Sequence, residues 1–156
     1  MPLLIKGDPG PVILERQNGP SPFFISCDHA GNAIPQALGN LGLSAIDCKR
    51  HIAWDIGALG VARELSRATE ACMVAQPYSR LVVDCNRPKT HPELVVCRSE
   101  STDVPGNQGV SSTDRKRREI AIYDPYHQMI SNLLDSRLRD DRATIFVSVH
   151  SFTPVY

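Results

Sequence analysis

Four short apolar runs constrain the fold of this chain more than any other feature. Phe23-Phe24-Ile25-Ser26-Cys27, Cys72-Met73-Val74-Ala75, Leu81-Val82-Val83 and Ile145-Phe146-Val147-Ser148-Val149 each stop at a polar cluster. Continuous runs of this length suit strands that are covered on both faces, as in a parallel sheet. Amphipathic segments lie between them, so the alternation predicts an α/β chain whose strands are joined by helical crossovers. Across residues 54–67, Trp54, Ala58, Val61, Ala62 and Leu65 fall on one helical face. A second helix is predicted to start at Asp124-Pro125, with an acidic N-cap and a proline at the first helical position. Its stripe of Tyr126, Met129, Ile130, Leu133, Leu134 and Leu138 reads as core. Residues 88–113 are rich in Pro, Ser, Thr, Gly and Asn, with Val104-Pro105-Gly106-Asn107 as a turn signal. This segment reads as a long exposed loop, of the kind that closes over a site.

Composition narrows the function. A chain of 156 residues, 42% hydrophobic, is large enough for one domain with its own core, taken as residues 1–156. Seventeen basic residues balance seventeen acidic ones, which argues against nucleic acid or an anionic membrane as partner and favours a small polar substrate. The one basic block, Arg115-Lys116-Arg117-Arg118, is flanked by Asp114 and Glu119 and lacks interleaved aromatics, so it reads as a solvated helix face. Five cysteines without a C-x-x-C pair argue against a disulfide framework or a four-thiolate metal site. No apolar stretch reaches the length of a membrane span, and the N-terminus has no basic region leading into one. The expectation is a cytoplasmic protein.

Polar clusters at the ends of the apolar runs carry the candidate chemistry. His29 follows the first run and His150 the last, and ligands of open α/β sheets bind outside the carboxyl ends of strands. Each is either a ligand for a transition metal or a turn histidine bonded to backbone; two at strand ends strengthen the metal reading if the strands are neighbours. Arg80, Asn86 and Arg87 bracket the third run and offer a carboxylate-binding set, since a guanidinium fork matches a carboxylate with two hydrogen bonds. Asp84 either orients one of these arginines or closes the strand end in a structural ion pair. Asp55 stands at a predicted helix start, where a carboxylate also serves as a cap. Trp54 reads as core or pocket wall, and His91 and His127 as surface or partly buried polar residues.

Taken together, residues 28–35 (DHAGNAIP), 53–58 (AWDIGA), 79–88 (SRLVVDCNRP) and 149–154 (VHSFTP) resemble the N-formylglutamate amidohydrolase family. Four ordered motifs make the resemblance specific where one would be weak. It implies a phosphorylase/hydrolase-like fold, with a mixed, largely parallel sheet and helices on both faces, related to zinc carboxypeptidases and aspartoacylases. It also implies hydrolysis of N-formyl-L-glutamate with Zn2+, or another divalent transition metal, as cofactor. Aspartoacylase-like relatives carry a His-x-x-Glu zinc motif, an Asp-x-Asn-Arg carboxylate-binding segment and a late zinc histidine. His29, Asp84-Cys85-Asn86-Arg87 and His150 match these, but Asn32 stands where those relatives have the ligand glutamate. Asp55 is therefore the expected third ligand, and Arg80 the expected stabiliser of the developing oxyanion. The competing readings are a hydrolase of another N-acyl amino acid or small peptide, and a non-catalytic carboxylate-binding domain.

Members of that family run on beyond this last motif, whereas here Tyr156 stands six residues after His150. The expectation is a domain incomplete at its C-terminus, or one that covers an open strand edge by self-association as a homo-oligomer. A general base is expected to lie in that later part, since no motif marks Glu93 or Glu100 for the role.

Overall fold

The computed structural model describes residues 2–153, so Pro154, at the end of the last motif, lies outside the described residues. In chain order the elements are β1 (Ile13–Glu15), β2 (Phe23–Cys27), α1 (Ala58–Thr69), β3 (Cys72–Ala75), β4 (Arg98–Ser99), β5 (Thr102–Asp103), α2 (Ser112–Arg118), α3 (Asp124–Arg139) and β6 (Ile145–Ser148). β1, β3, β2 and β6 form one sheet in that order, while β4 and β5 pair as a separate hairpin. β2 is parallel to both neighbours, with Phe24 opposite Cys72 on one side and Phe146 on the other; only β1 runs antiparallel. The sheet is thus mixed and largely parallel, as expected.

The pleat sorts the side chains onto two faces. Phe24, Cys72 and Val74 pack with Ile122 and Tyr126 on the α3 side. Ile25, Met73 and Ala75 pack with Ala58 and Ala62 on the α1 side, so helices cover both faces. The chain leaves β2 through α1 to β3 on one side and later returns as β6 on the other. Such a change of direction opens a crevice at the carboxyl ends of the strands, here beyond Cys27 and Ser148.

Several expectations fail for identifiable reasons. The Leu81-Val82-Val83 run is not a strand but a buried turn. Ser79 starts it: its hydroxyl accepts from the Leu81 amide at 3.2 Å and donates to the Ala53 carbonyl. The carbonyls a strand would pair are taken instead by side chains, Leu81 by Asn107 at 2.8 Å and Val82 by Arg118 at 3.0 Å. Arg118 is accordingly buried at the end of the basic block, and only part of that block is solvated. The helix expected across residues 54–67 starts at Ala58, after Gly57 at φ 84°; it buries Ala58, Ala62 and Ser66, while Val61 and Leu65 are exposed.

Asp124 is no N-cap. Helix runs on from α2, which Ser111 caps by accepting from the Asp114 amide, through a π-helical turn at Glu119–Tyr123. That wider turn bonds the Asp124 amide to the Glu119 carbonyl, which makes room for Pro125, a residue that supplies no amide and crowds the preceding turn. Tyr126 is fully buried, but Leu138 at the other end of the stripe is exposed. Residues 88–113 are more ordered than a loop: Leu94, Val95, Val104 and Asn107 are buried and the β4–β5 hairpin stands among them. β6 is a strand, yet Ile145 and Phe146 are about half exposed because it is the edge of the sheet among the described residues. Among the described residues, no helix is long and apolar enough to cross a membrane.

Candidate active site

β2 delivers His29 into the crevice, and a close approach fixes the loop that carries it. A β-carbon on Gly31 would stand 2.2 Å from the Pro77 carbonyl oxygen, so only glycine lets the loop lie against the segment after β3. The Ala33 amide bonds that same carbonyl at 3.1 Å, and the His29 carbonyl accepts from the Asp55 amide at 2.9 Å. β6 delivers His150 from the neighbouring strand, whose last register is held by the Val149 amide on the Ser26 carbonyl. The two histidines, separated by most of the sequence, meet with ring centroids 5.4 Å apart.

Asp55 joins them. Its carboxylate accepts from His150 Nδ1 at 3.0 Å and from the Ser151 amide at 3.1 Å, and it stands 3.6 Å from His29 Nδ1. It is therefore not the helix cap that its position suggested. One donor atom from each of His29, Asp55 and His150 falls within 4.8 Å of the others, which makes the trio a possible metal site. Donors about 2.0–2.2 Å from a tetrahedral ion stand roughly 3.4 Å apart, and the two histidine–Asp55 spacings, 3.6 and 3.0 Å, lie close to that. The stronger test is His29 Nδ1, a buried nitrogen with no hydrogen-bond partner among the described residues. An orphan of this kind needs an explanation, and a bound cation supplies one. Asn32, by contrast, turns away and donates to the Cys48 carbonyl at 2.9 Å.

The other nitrogen of His29 is occupied. Nε2 lies 2.7 Å from Asp84 Oδ1, and a carboxylate there puts the proton on Nε2 and leaves the lone pair on Nδ1, facing Asp55. Asp84 is the hub of the third cluster. Its other oxygen accepts from Arg80 and from Arg87, each at 3.2 Å, and Oδ1 also accepts from the Asn86 amide at 2.9 Å. Asp84 thus orients two arginines and a histidine from behind, with both oxygens engaged, whereas there is no strand end for it to close. Arg80 reaches to 3.8 Å from Asp55.

Burial and charge act against each other here. Burial alone would raise the Asp84 carboxyl, but His29 and Arg80 pull it down to about 2. For Asp55, burial is likewise outweighed by its bonds to His150 and His29, so it is held well below the carboxylate range. Asp28 and then Asp55 push His150 up to about 9. Burial opposes protonation of His29, yet the Asp55 and Asp84 carboxylates raise it overall.

A cleft of about 710 Å3 opens over the trio, lined also by Arg80, Asn86, Arg87, Glu93, Arg98 and Glu100. The structure therefore brings together every residue expected of the site except Asp84, which lies just behind it. Sequence reasoning missed four neighbours. Asp28 stands 3.5 Å from His150 Nε2 and accepts from the Tyr126 hydroxyl at 2.5 Å; its place beside His29 was the available signal. Glu93 meets Arg87 at 3.1 Å, and Glu100 meets His51 at 2.6 Å. Nothing in the local sequence marks these two or Arg98, because the segment that carries them, the turn at Pro92–Leu94 and the hairpin after it, was read as open loop.

A sequence model described as N-formylglutamate amidohydrolase matches residues 21–156. No curated protein matches the chain. Among solved structures, the crystal structure of a gene product from Agrobacterium tumefaciens is similar at 40% identity with a TM-score of 0.96. That alignment covers 99% of this chain and 61% of the other, so this chain spans about three fifths of the length of the protein it matches.

Proposed function

The chain belongs to the N-formylglutamate amidohydrolase family, and from that premise we propose that it serves the zinc-dependent hydrolysis of N-formyl-L-glutamate to formate and L-glutamate. The observation that carries the reading is the orphaned Nδ1 of His29, which faces Asp55 and His150 at the floor of a cleft that also presents three arginines. Two imidazoles and one carboxylate are a donor set that zinc favours in hydrolases, and they leave a coordination position open. When bound, such an ion makes water acidic near neutral pH and polarises a carbonyl.

The remaining work falls to the chain's own groups. Arg80, a partly exposed cation within 3.8 Å of Asp55, faces the oxygen on which negative charge develops as the amide carbonyl is attacked. Asn86 and Arg87 hold the α-carboxylate and fix the amide over the floor of the cleft. Asp84 acts through others, keeping His29 in one tautomer and Arg80 and Arg87 in place. Residues 1–156 are read as one amidohydrolase-like domain.

Metal content and formate release from N-formyl-L-glutamate test the reading together. Stoichiometric zinc with formate release supports it, and a protein that binds neither zinc nor the substrate overturns it. A second reading follows from the cleft: about 710 Å3 exceeds the needs of a formyl group, so a longer N-acyl chain also fits. A panel of N-acyl glutamates separates the two.

A further inference from the structure

The cations of the cleft are not equivalent. Arg80 and Arg87 both donate to Asp84, and Arg87 is also paired with Glu93. Arg98 differs from both. Its Nε donates to the Glu100 carbonyl at 3.2 Å and stands 3.7 Å from the exposed Asp103 carboxylate. Its two terminal nitrogens have no hydrogen bond or ion pair with the described residues. The acidic groups that border the cleft are already matched: Asp55 by the two histidines, Glu93 by Arg87, and Glu100 by Arg50 and His51. Arg98 is left as a cleft cation whose only carboxylate neighbour among the described residues, Asp103, is not among those that line the cleft.

Its backbone, unlike its fork, is fixed. Arg98 pairs with Asp103 across the hairpin, the Val104 amide bonds the Cys97 carbonyl at 2.9 Å, and Asn107 donates to the Val96 carbonyl at 2.7 Å. Arg50 ties the hairpin tip down through Glu100 at 3.3 Å and Thr102 at 2.8 Å. A free guanidinium fork on an anchored backbone is pre-organised for a carboxylate. We propose that Arg98 is a specificity-determining residue that takes the distal, side-chain carboxylate of an N-acyl amino dicarboxylate, while Asn86 and Arg87 take the α-carboxylate. This inference rests on the hydrolytic function proposed above. Because Arg98 is largely exposed, water competes for the fork and the discrimination is modest, about tenfold between a charged and an isosteric neutral side chain.

The test compares N-formyl-L-glutamate with N-formyl-L-glutamine on the zinc-loaded full chain, measuring both kcat/KM and calorimetric affinity for wild type, Arg98→Met and Arg98→Lys. The expected result is a wild-type preference for the glutamate compound of about tenfold that Arg98→Met reduces to about twofold or less, with Arg98→Lys between them. The side chain is exposed, so the variants retain the fold, and the ratio is insensitive to a general loss of active protein. A wild type that discriminates together with an Arg98→Met variant that keeps the same ratio overturns the inference and leaves the hydrolytic function standing. So does a wild type that turns over both compounds equally. If the wild type neither binds nor hydrolyses either compound, the proposed function itself falls, and the inference with it.

Discussion

Asp84→Asn is the perturbation that most directly tests how the site is organised. The Asp84 carboxylate is buried, accepts from His29 Nε2 at 2.7 Å and bonds neither Asp55 nor His150, so its effect on metal binding travels chiefly through the imidazole, with a smaller share through Arg80, 3.8 Å from Asp55. The carboxylate acts on His29 in two ways: it fixes the proton on Nε2 and raises the basicity of Nδ1. An asparagine retains neither fully. Its oxygen can still accept from Nε2, but its amide can equally donate to Nε2, which selects the other tautomer and puts a proton on the nitrogen that faces Asp55. Loss of such an outer partner typically costs 10–100-fold in metal affinity, or about 1.4–2.8 kcal/mol. The prediction is a zinc Kd raised about 10–100-fold in Asp84→Asn, read by competition with a chromophoric chelator, with far-UV circular dichroism confirming the fold. Wild-type zinc affinity in the folded variant would refute the assignment of Nδ1 as a ligand atom.

Further predictions follow from the same geometry. His150→Ala should abolish stoichiometric zinc binding while leaving the thermal transition cooperative, because the residue follows an edge strand and is not in the core; full metal occupancy would remove it from the ligand set. Arg87→Lys should weaken glutamate binding about tenfold by calorimetry, since an ammonium cannot reproduce a two-pronged contact. Glu93→Gln should lower KM for N-formyl-L-glutamate about two- to fivefold, because Glu93 now occupies Arg87 at 3.1 Å and competes with the incoming carboxylate; an unchanged or higher KM would show that it does not. The pH dependence has opposite signs with and without metal. His150 is raised to about 9, so its protonated pairing stabilises the metal-free fold fully below about pH 6.5 and is lost as pH rises through about 9. Zinc must displace that proton, so zinc affinity should climb over the same interval, and a flat titration curve would contradict the pairing.

The strands that build the floor of the site were legible because burial on both faces leaves continuous apolar runs, and β2 and β3 have them. β1 escaped notice: Ile13–Glu15 is three residues long with every position only half buried. The Leu81-Val82-Val83 run misled because it is apolar for the right reason, burial, but pairs its carbonyls with Asn107 and Arg118, and such long-range partners leave no local trace. His29 and His150 could be found at strand ends. That they converge depends on β6 lying beside β2, which is a property of topology and not of either motif. Asp55 carried the opposite lesson, since a carboxylate before a helix reads as a cap, yet here its Oδ2 accepts from a histidine and an amide beyond β6.

That convergence also explains how so many ionisable groups can share one end of a sheet. Asp28, Asp55, Asp84 and Glu93 bring four negative charges to the cluster, and Arg80, Arg87 and a protonated His150 bring three positive ones, so most of the charge is matched within the site. A divalent cation that displaces the His150 proton therefore adds one net positive charge. A site made more positive in this way favours an anion more strongly than before, and Arg98 also lines the cleft. Substrate carboxylates and the charge that develops on an attacked carbonyl are both anions of this kind. Metal loading and anion binding should accordingly reinforce each other, and by linkage the reinforcement must be reciprocal. Zinc should tighten glutamate binding by the same factor by which glutamate tightens zinc. Paired titrations in which the two factors are both unity would mean that the ion and the carboxylate pocket do not belong to one site.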